Sequence, residues 1–145
     1  SSKAAMWRGP MLSGAIKQLM DSTEWGDLDY LFIDMPPGTG DAYLTVAKDL
    51  KPDSAILVTT KSPLAVQDTL KSKILFQKLN IPILGYINNM VSSSSSGGGT
   101  EGDITNILGL DLLGSIPMDD DVANFNLIGS AKLFESTYNN LKIII

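Results

Sequence analysis

Phe32-Ile33-Asp34-Met35-Pro36-Pro37-Gly38-Thr39-Gly40-Asp41 decides how this chain is read. The run before it, Leu28-Asp29-Tyr30-Leu31, continues into Phe32 and Ile33 with the apolar character of a strand buried on both faces. The strand is predicted to end at Asp34, which puts a carboxylate at the carboxyl edge of a sheet. In open α/β sheets that edge is where ligands bind. Pro36 and Pro37 stiffen the turn and remove two backbone donors. Gly38 and Gly40 let a ligand approach the backbone, and their N–H groups can point at an anion. Thr39 or Asp41 is placed to cap a helix that starts at Ala42 and runs to Leu50. An acid at a strand tip, followed by a Gly-rich turn and a helix start, suits hydrated Mg²⁺ beside phosphate. A plain strand–turn–helix corner, with an Asp that only caps, is the simpler reading of Asp-x-Pro alone. The whole stretch favours the ligand-binding one.

Two further motifs stand at matching distances before it: Trp7-Arg8-Gly9-Pro10-Met11 and Trp25-Gly26-Asp27-Leu28-Asp29-Tyr30. With Asp34-Met35-Pro36-Pro37-Gly38-Thr39-Gly40-Asp41, they make the chain resemble the Mrp/ApbC family. Those are P-loop ATPases related to the MinD and ParA group that carry and transfer iron–sulfur clusters. The likeness continues, more weakly beyond Met90, to Asp119. It corresponds to the C-terminal half of the family's ATPase domain, over residues 1–145. The implied fold is α/β: a mostly parallel sheet with flanking helices, part of a P-loop NTPase (Rossmann-like) domain.

Composition limits the alternatives. The 145 residues suffice for one domain burying roughly 70% of its unfolded surface. A net charge of −5 argues against a sequence-independent grip on nucleic acid. No apolar run approaches the roughly 20 residues of a membrane span, and Ser1 to Met20 has no secretory apolar core. A cytoplasmic or organelle-matrix setting is the expectation. The sequence contains neither cysteine nor histidine, which leaves no thiolate nucleophile and no ordinary zinc or iron site.

Along the chain, Arg8-Gly9-Pro10 reads as a turn and Met11 to Ser22 as a helix with Leu12, Ile16, Leu19 and Met20 on one face. Further strands are expected at Ala55 to Thr60, Ile83 to Asn88 and Leu112 to Ile116. Ser62 and Pro63 open a helix whose core face is Val66, Leu70 and Ile74, flanked by Leu75 and Leu79. Asp103 to Leu108 reads as a short helix. Ala131 to Lys142 reads as the last, with Leu133, Phe134, Tyr138 and Leu141. Alternating strands and helices imply parallel pairing. Residues 91–99, rich in Ser and Gly, read as a flexible loop. Gly97, Gly99 and Gly102 match G-x-G-x-x-G, but no strand runs directly into them.

The resemblance assigns roles. Asp34 would hold Mg²⁺ through a water and act as the switch acid. Gly38 would sense the γ-phosphate of ATP, with Thr39, Gly40 and Asp41 completing the loop. Asn89 would read the adenine edge with an amide that both donates and accepts. Pro117 and Asp119 would lie beside the base, and Arg8 near the nucleotide. The simpler readings are an Asn closing a strand, an ordinary Pro-Met-Asp turn and a solvated Arg. Two family features are not found in the sequence. No G-x-x-x-x-G-K-[ST] occurs, and serines stand where the family has a Cys-x-x-Cys pair, so there are no iron–sulfur ligands. Asn88 stands where the family usually has Glu, and the family's Asp-x-Gly-x-Pro ending is replaced by Asn126-Leu127-Ile128-Gly129-Ser130.

The expected partners are a second copy in a homodimer or a full-length relative, with iron–sulfur recipient or scaffold proteins beyond them. A partner-binding module without catalysis is the alternative. A receiver-like domain phosphorylated on Asp34 is more remote, because its acidic pair and its lysine are not found. With no neighbouring strand in the sequence, Tyr30 to Ile33 is expected to form an uncovered apolar edge.

Overall fold

The computed structural model describes residues 8–35, 40, 43–44, 46–92, 100–123 and 131–144. Three apolar runs form the sheet: β1 (Ala55–Thr59), β2 (Ile83–Val91) and β3 (Leu112–Pro117). They pair in parallel in the order β1–β2–β3, with Leu57 beside Tyr86 and Thr59 beside Asn88. Parallel neighbours need crossover connections. Here these are α2 (Pro63–Lys78) and α3 (Thr100–Leu108). Ser62, in extended backbone, and Pro63 open α2 as the sequence predicts. Gly109 ends α3 at φ 56°, and its N–H donates to the Thr105 carbonyl at 2.7 Å. The Lys73 ammonium of α2 donates to the Leu108 carbonyl, placing a cation at the negative end of α3.

The core lies where α2 and α3 meet the sheet. Leu57, Val66, Phe76, Tyr86, Ile104 and Leu108 are buried together. The Tyr86 hydroxyl is 2.8 Å from that of Thr105. The opposite face is covered differently. Ile87 alternates with Tyr86 and therefore points the other way, as do its ladder partners Val58 and Gly114. On that face α5 (Ala131–Ile144) packs against β3. A Cβ at Gly114 would lie 2.8 Å from two carbons of Thr137, so the close approach of α5 needs glycine there. Val58, on β1, is left 57% exposed. Two elements lie further out. They are α1 (Arg8–Ser22), which packs on a π-helical turn (Val46–Leu50), and the short α4 (Asp120–Ala123).

Several expectations are corrected. Leu28 to Asp34 is neither strand nor helix, and Tyr30 and Phe32 are 56% and 73% exposed. A strand exists only through a ladder with another strand about 4.8 Å away, and this segment is not one of the three strands in the sheet. Arg8-Gly9-Pro10 is the first turn of α1 rather than a separate turn, which Pro tolerates because no helical donor is needed there. Leu19 points to solvent on α1. Between Ala42 and Leu50 the described backbone is α-helical only at 43–44 and π-helical over Val46–Leu50. Ile74 and Tyr138 are exposed, because Thr69 and Phe76 on α2, and Thr137 on α5, take the buried positions. Val91 belongs to β2, while residues 93–99 of the Ser/Gly tract lie outside the described residues.

The two glycines Gly114 and Gly14 have opposite surroundings. Gly114→Ala should cost about 1–3 kcal/mol by forcing α5 outward. Gly14→Ala, in α1 with nothing within 4 Å of the added methyl, should be neutral or stabilise by up to about 1 kcal/mol. Urea unfolding of both variants checks the pair.

Candidate functional site

A cleft of about 1250 Å³ separates residues 29–35 from the outer side of β1. Its formation follows from the sheet order. Among the described residues β1 pairs only with β2, and β1 lines the cleft. Residues 29–35 run along the far wall. The buried wall includes Tyr43, Val46 and Phe76, with the rings of Tyr43 and Phe76 5.4 Å apart. Asp34, Thr60 and Asn89 line the same cleft. Thr60 directly follows β1 and Asn89 lies in the last part of β2, so this lining belongs to the carboxyl end of the sheet.

Asp34 is exposed, and its carboxylate is not part of a cluster: among the described residues no three acids gather at one point. Asn89 is half-buried, and its side-chain oxygen accepts from the Met90 N–H at 2.9 Å. One acceptor lone pair is therefore engaged locally. The Thr60 hydroxyl accepts from the Ser62 N–H at 3.3 Å, which ties the end of β1 to the start of α2. Gly40 is exposed, and its carbonyl accepts from the Leu44 N–H at 3.0 Å. Gly38, Thr39 and Asp41 lie outside the described residues, and of Arg8 only the helical backbone is described.

Pro117 and Asp119 are not among the residues lining this cleft. Pro117 ends β3 and Asp119 lies just beyond it; β3 is two strand spacings from β1, or about 10 Å away. The Asp119 carboxylate accepts from the Val122 N–H at 3.0 Å and so caps α4. Tyr43 is the lining residue that sequence reasoning missed. It falls one residue beyond Ala42 in an interrupted helical segment, and no periodicity marks it as buried. Burial pushes its hydroxyl above the usual 10.0, while a hydrogen bond with Ser72 works the other way.

Comparison with known proteins gives a consistent result. A family model described as ParA, the NUBPL iron-transfer P-loop NTPases, matches residues 1–142. An iron–sulfur cluster carrier protein of Aquifex aeolicus is 42% identical over 127 residues, which are 81% of this chain and 35% of that protein. The carrier protein of Methanocaldococcus jannaschii is 44% identical over 126 residues, 79% of this chain and 43% of the relative. The chain therefore spans less than half the length of these relatives. Among solved structures, the cell division ATPase MinD of Pyrococcus furiosus shares the fold, with a TM-score of 0.69 at 23% identity over 94% of this chain and 59% of that one. The septum site-determining protein MinD of Pyrococcus horikoshii, complexed with Mg-ADP, gives a TM-score of 0.59 at 25% identity, covering 91% and 46%.

The Tyr43 shift carries a signed prediction. Its folded pKa lies above the unfolded one, so the neutral phenol contributes stability that is complete below pH 10 and is lost as pH rises through the folded value. Unfolding curves between pH 9 and 12 should show a loss of stability that is smaller in Tyr43→Phe.

Proposed function

The chain belongs to the ParA family of NUBPL iron-transfer P-loop NTPases, and on that footing we propose that it forms the Mg²⁺- and base-side half of the nucleotide site of a cluster-transfer ATPase. It would correspond to the C-terminal half of that ATPase domain. The observation that carries the reading is the common cleft of Asp34 and Asn89, distant in sequence, with Asn89 in the last part of the parallel strand β2. That edge is where α/β sheets of this class take ligands.

The donors fit Mg²⁺ with nucleotide in part. A single exposed carboxylate suits an ion that keeps most of its waters and takes its other ligands from phosphate. In the proposal Asp34 holds Mg²⁺ through a water, and Gly38, Thr39, Gly40 and Asp41 form the loop beside the γ-phosphate. Asn89 offers its amide to the adenine edge. Pro117, at the end of β3, and Asp119, which caps α4, would lie on the base side. When bound, Mg²⁺ would neutralise phosphate charge. The phosphate cradle does not fit: no G-x-x-x-x-G-K-[ST] occurs in the 145 residues. Base contacts and one acid do not replace it.

Iron–sulfur cargo is a separate matter. Clusters are held chiefly by cysteine thiolates, and this sequence contains neither Cys nor His. Participation in cluster transfer would then run through a partner, either a full-length relative or a second copy in contact with recipient or scaffold proteins. A second reading, a partner-binding module built on the same fold, is favoured by the exposed Tyr30, Leu31, Phe32 and Val58. A cytoplasmic or organelle-matrix setting is part of the proposal. Among the described residues no helix is long and apolar enough to cross a membrane.

Calorimetric titration with Mg-ATP tests the half-site. The chain alone should show no saturation tighter than about 1 mM, a binding energy near 4 kcal/mol. Micromolar binding that Asp34→Asn removes would mean that the chain holds a whole site. Fused to the remaining part of the Aquifex relative, the chain should bind Mg-ATP at micromolar level, and Asp34→Asn should weaken that at least roughly tenfold. Anaerobic reconstitution with iron and sulfide should leave the visible spectrum without a stoichiometric cluster chromophore.

A further inference from the structure

We infer that Met90 is a positioning residue: the β-bulge built around its left-handed backbone holds the Asn89 amide in the one orientation that accepts adenine and repels guanine. This deepens, and rests on, the base-side role proposed for Asn89. The bulge is read from the register. Asn88 of β2 lies beside Ser115 of β3, and Val91 lies beside Pro117, so three steps on β2 match two on β3. The extra residue is accommodated at Asn89-Met90. Met90 stands at φ 55°, in the left-handed region that a residue with a Cβ rarely enters. Its side chain is 60% exposed, so packing does not impose that conformation. The ladder does. Beyond the bulge the pairing resumes, and the Met118 N–H donates to the Val91 carbonyl at 2.9 Å. Unfavourable backbone that is held from both sides, next to a residue lining a ligand cleft, marks a functional constraint.

The consequence is a fixed amide. An asparagine amide has two nearly equivalent settings about its last bond, which exchange oxygen for nitrogen. In one of them the Asn89 side-chain oxygen accepts from the Met90 N–H, at 2.9 Å. The reversed setting would put an NH₂ group against that N–H, donor against donor. The hydrogen bond therefore selects the first. The oxygen keeps a second lone pair with the NH₂ group beside it, so the amide offers an acceptor and a donor side by side. The amine and N7 on the open edge of adenine match that pair as donor and acceptor. Guanine carries a carbonyl oxygen in place of the amine, and it would face the Asn89 oxygen, acceptor against acceptor. Rejection by such repulsion needs an amide that cannot turn over. A free amide would bring its NH₂ group to the guanine oxygen and lose the selectivity. The Met90 N–H prevents that, and it does so through the backbone. The position therefore requires an N–H and a positive φ, not a particular side chain.

The probes are adenosine and guanosine monophosphate, each added at about 10 mM, a level at which millimolar binding registers. The protein is the full 145-residue chain, labelled with nitrogen-15 and followed by NMR. The Asn89 side-chain NH₂ resonance should move with adenylate, at an affinity roughly tenfold above that for guanylate. Met90→Gly, which permits the same φ and keeps the N–H, should retain that ratio. Met90→Val, whose branched side chain disfavours the left-handed region, should reduce it to about twofold or less. If Met90→Val does not fold, the unmodified chain decides alone. A coupling across the hydrogen bond, from the Met90 amide nitrogen to the Asn89 side-chain carbonyl carbon, is expected there, and its absence would overturn the role of Met90. No response to either nucleotide would sink the base-side reading and this inference with it. Equal response to both nucleotides, or a folded Met90→Val as selective as the unmodified chain, would overturn the role of Met90 and leave the base-side reading standing.

Discussion

The hydrogen-bond ladder on the two sides of β2 is the constraint from which the rest follows. β2 pairs with β1 on one side and β3 on the other, and Tyr86 and Asn88 within it are completely buried. Because the pairing is parallel, the chain must cross over between strands, and α2 and α3 do so on one face. Their apolar sides meet the sheet there, and the Lys73–Leu108 contact locks one crossover to the other. On the other face α5 is admitted as closely as Gly114 permits. Among the described residues the same ladder stops at β1, beside the cleft.

Much of this frame could be read from residue order. Ala55 to Thr60, Ile83 to Asn88 and Leu112 to Ile116 are apolar runs of strand length, and they become β1, β2 and β3 with ends shifted by a few residues. Ser62-Pro63 fixes the start of α2 through local chemistry alone. Tyr30 to Ile33 shows the limit of such reading. Its apolar pattern gives a propensity, but a strand is a relation between two segments, and the partner is not among the described residues. The buried Thr69, Phe76 and Thr137 were likewise hidden, because helix periodicity gives a stripe and tertiary contacts choose its edges.

The site was legible where it depended on motif and hidden where it depended on packing. Asp34 and Asn89 were singled out from their sequence neighbourhoods, and the fold brings them to one cleft. Asp119 was singled out by the same means, but its carboxylate is engaged as a helix cap on the far side of β2. Tyr43 left no signal in the sequence, since its burial depends on Phe76 across the core. The side of β1 that lacks a strand is the side on which Asp34 stands.

The measurement that tests this most directly is residue-resolved amide hydrogen exchange on the chain alone. The central claim is that, among the described residues, the ladder ends at β1 and residues 29–35 are not a strand of the sheet. It predicts strong protection along β2, with Tyr86, Ile87 and Asn88 exchanging only through the largest openings. Leu31, Phe32 and Ile33 should exchange near the rate of an unstructured peptide. Protection of those three amides comparable to that of β2 would contradict the account, because it would mean that they already belong to a sheet.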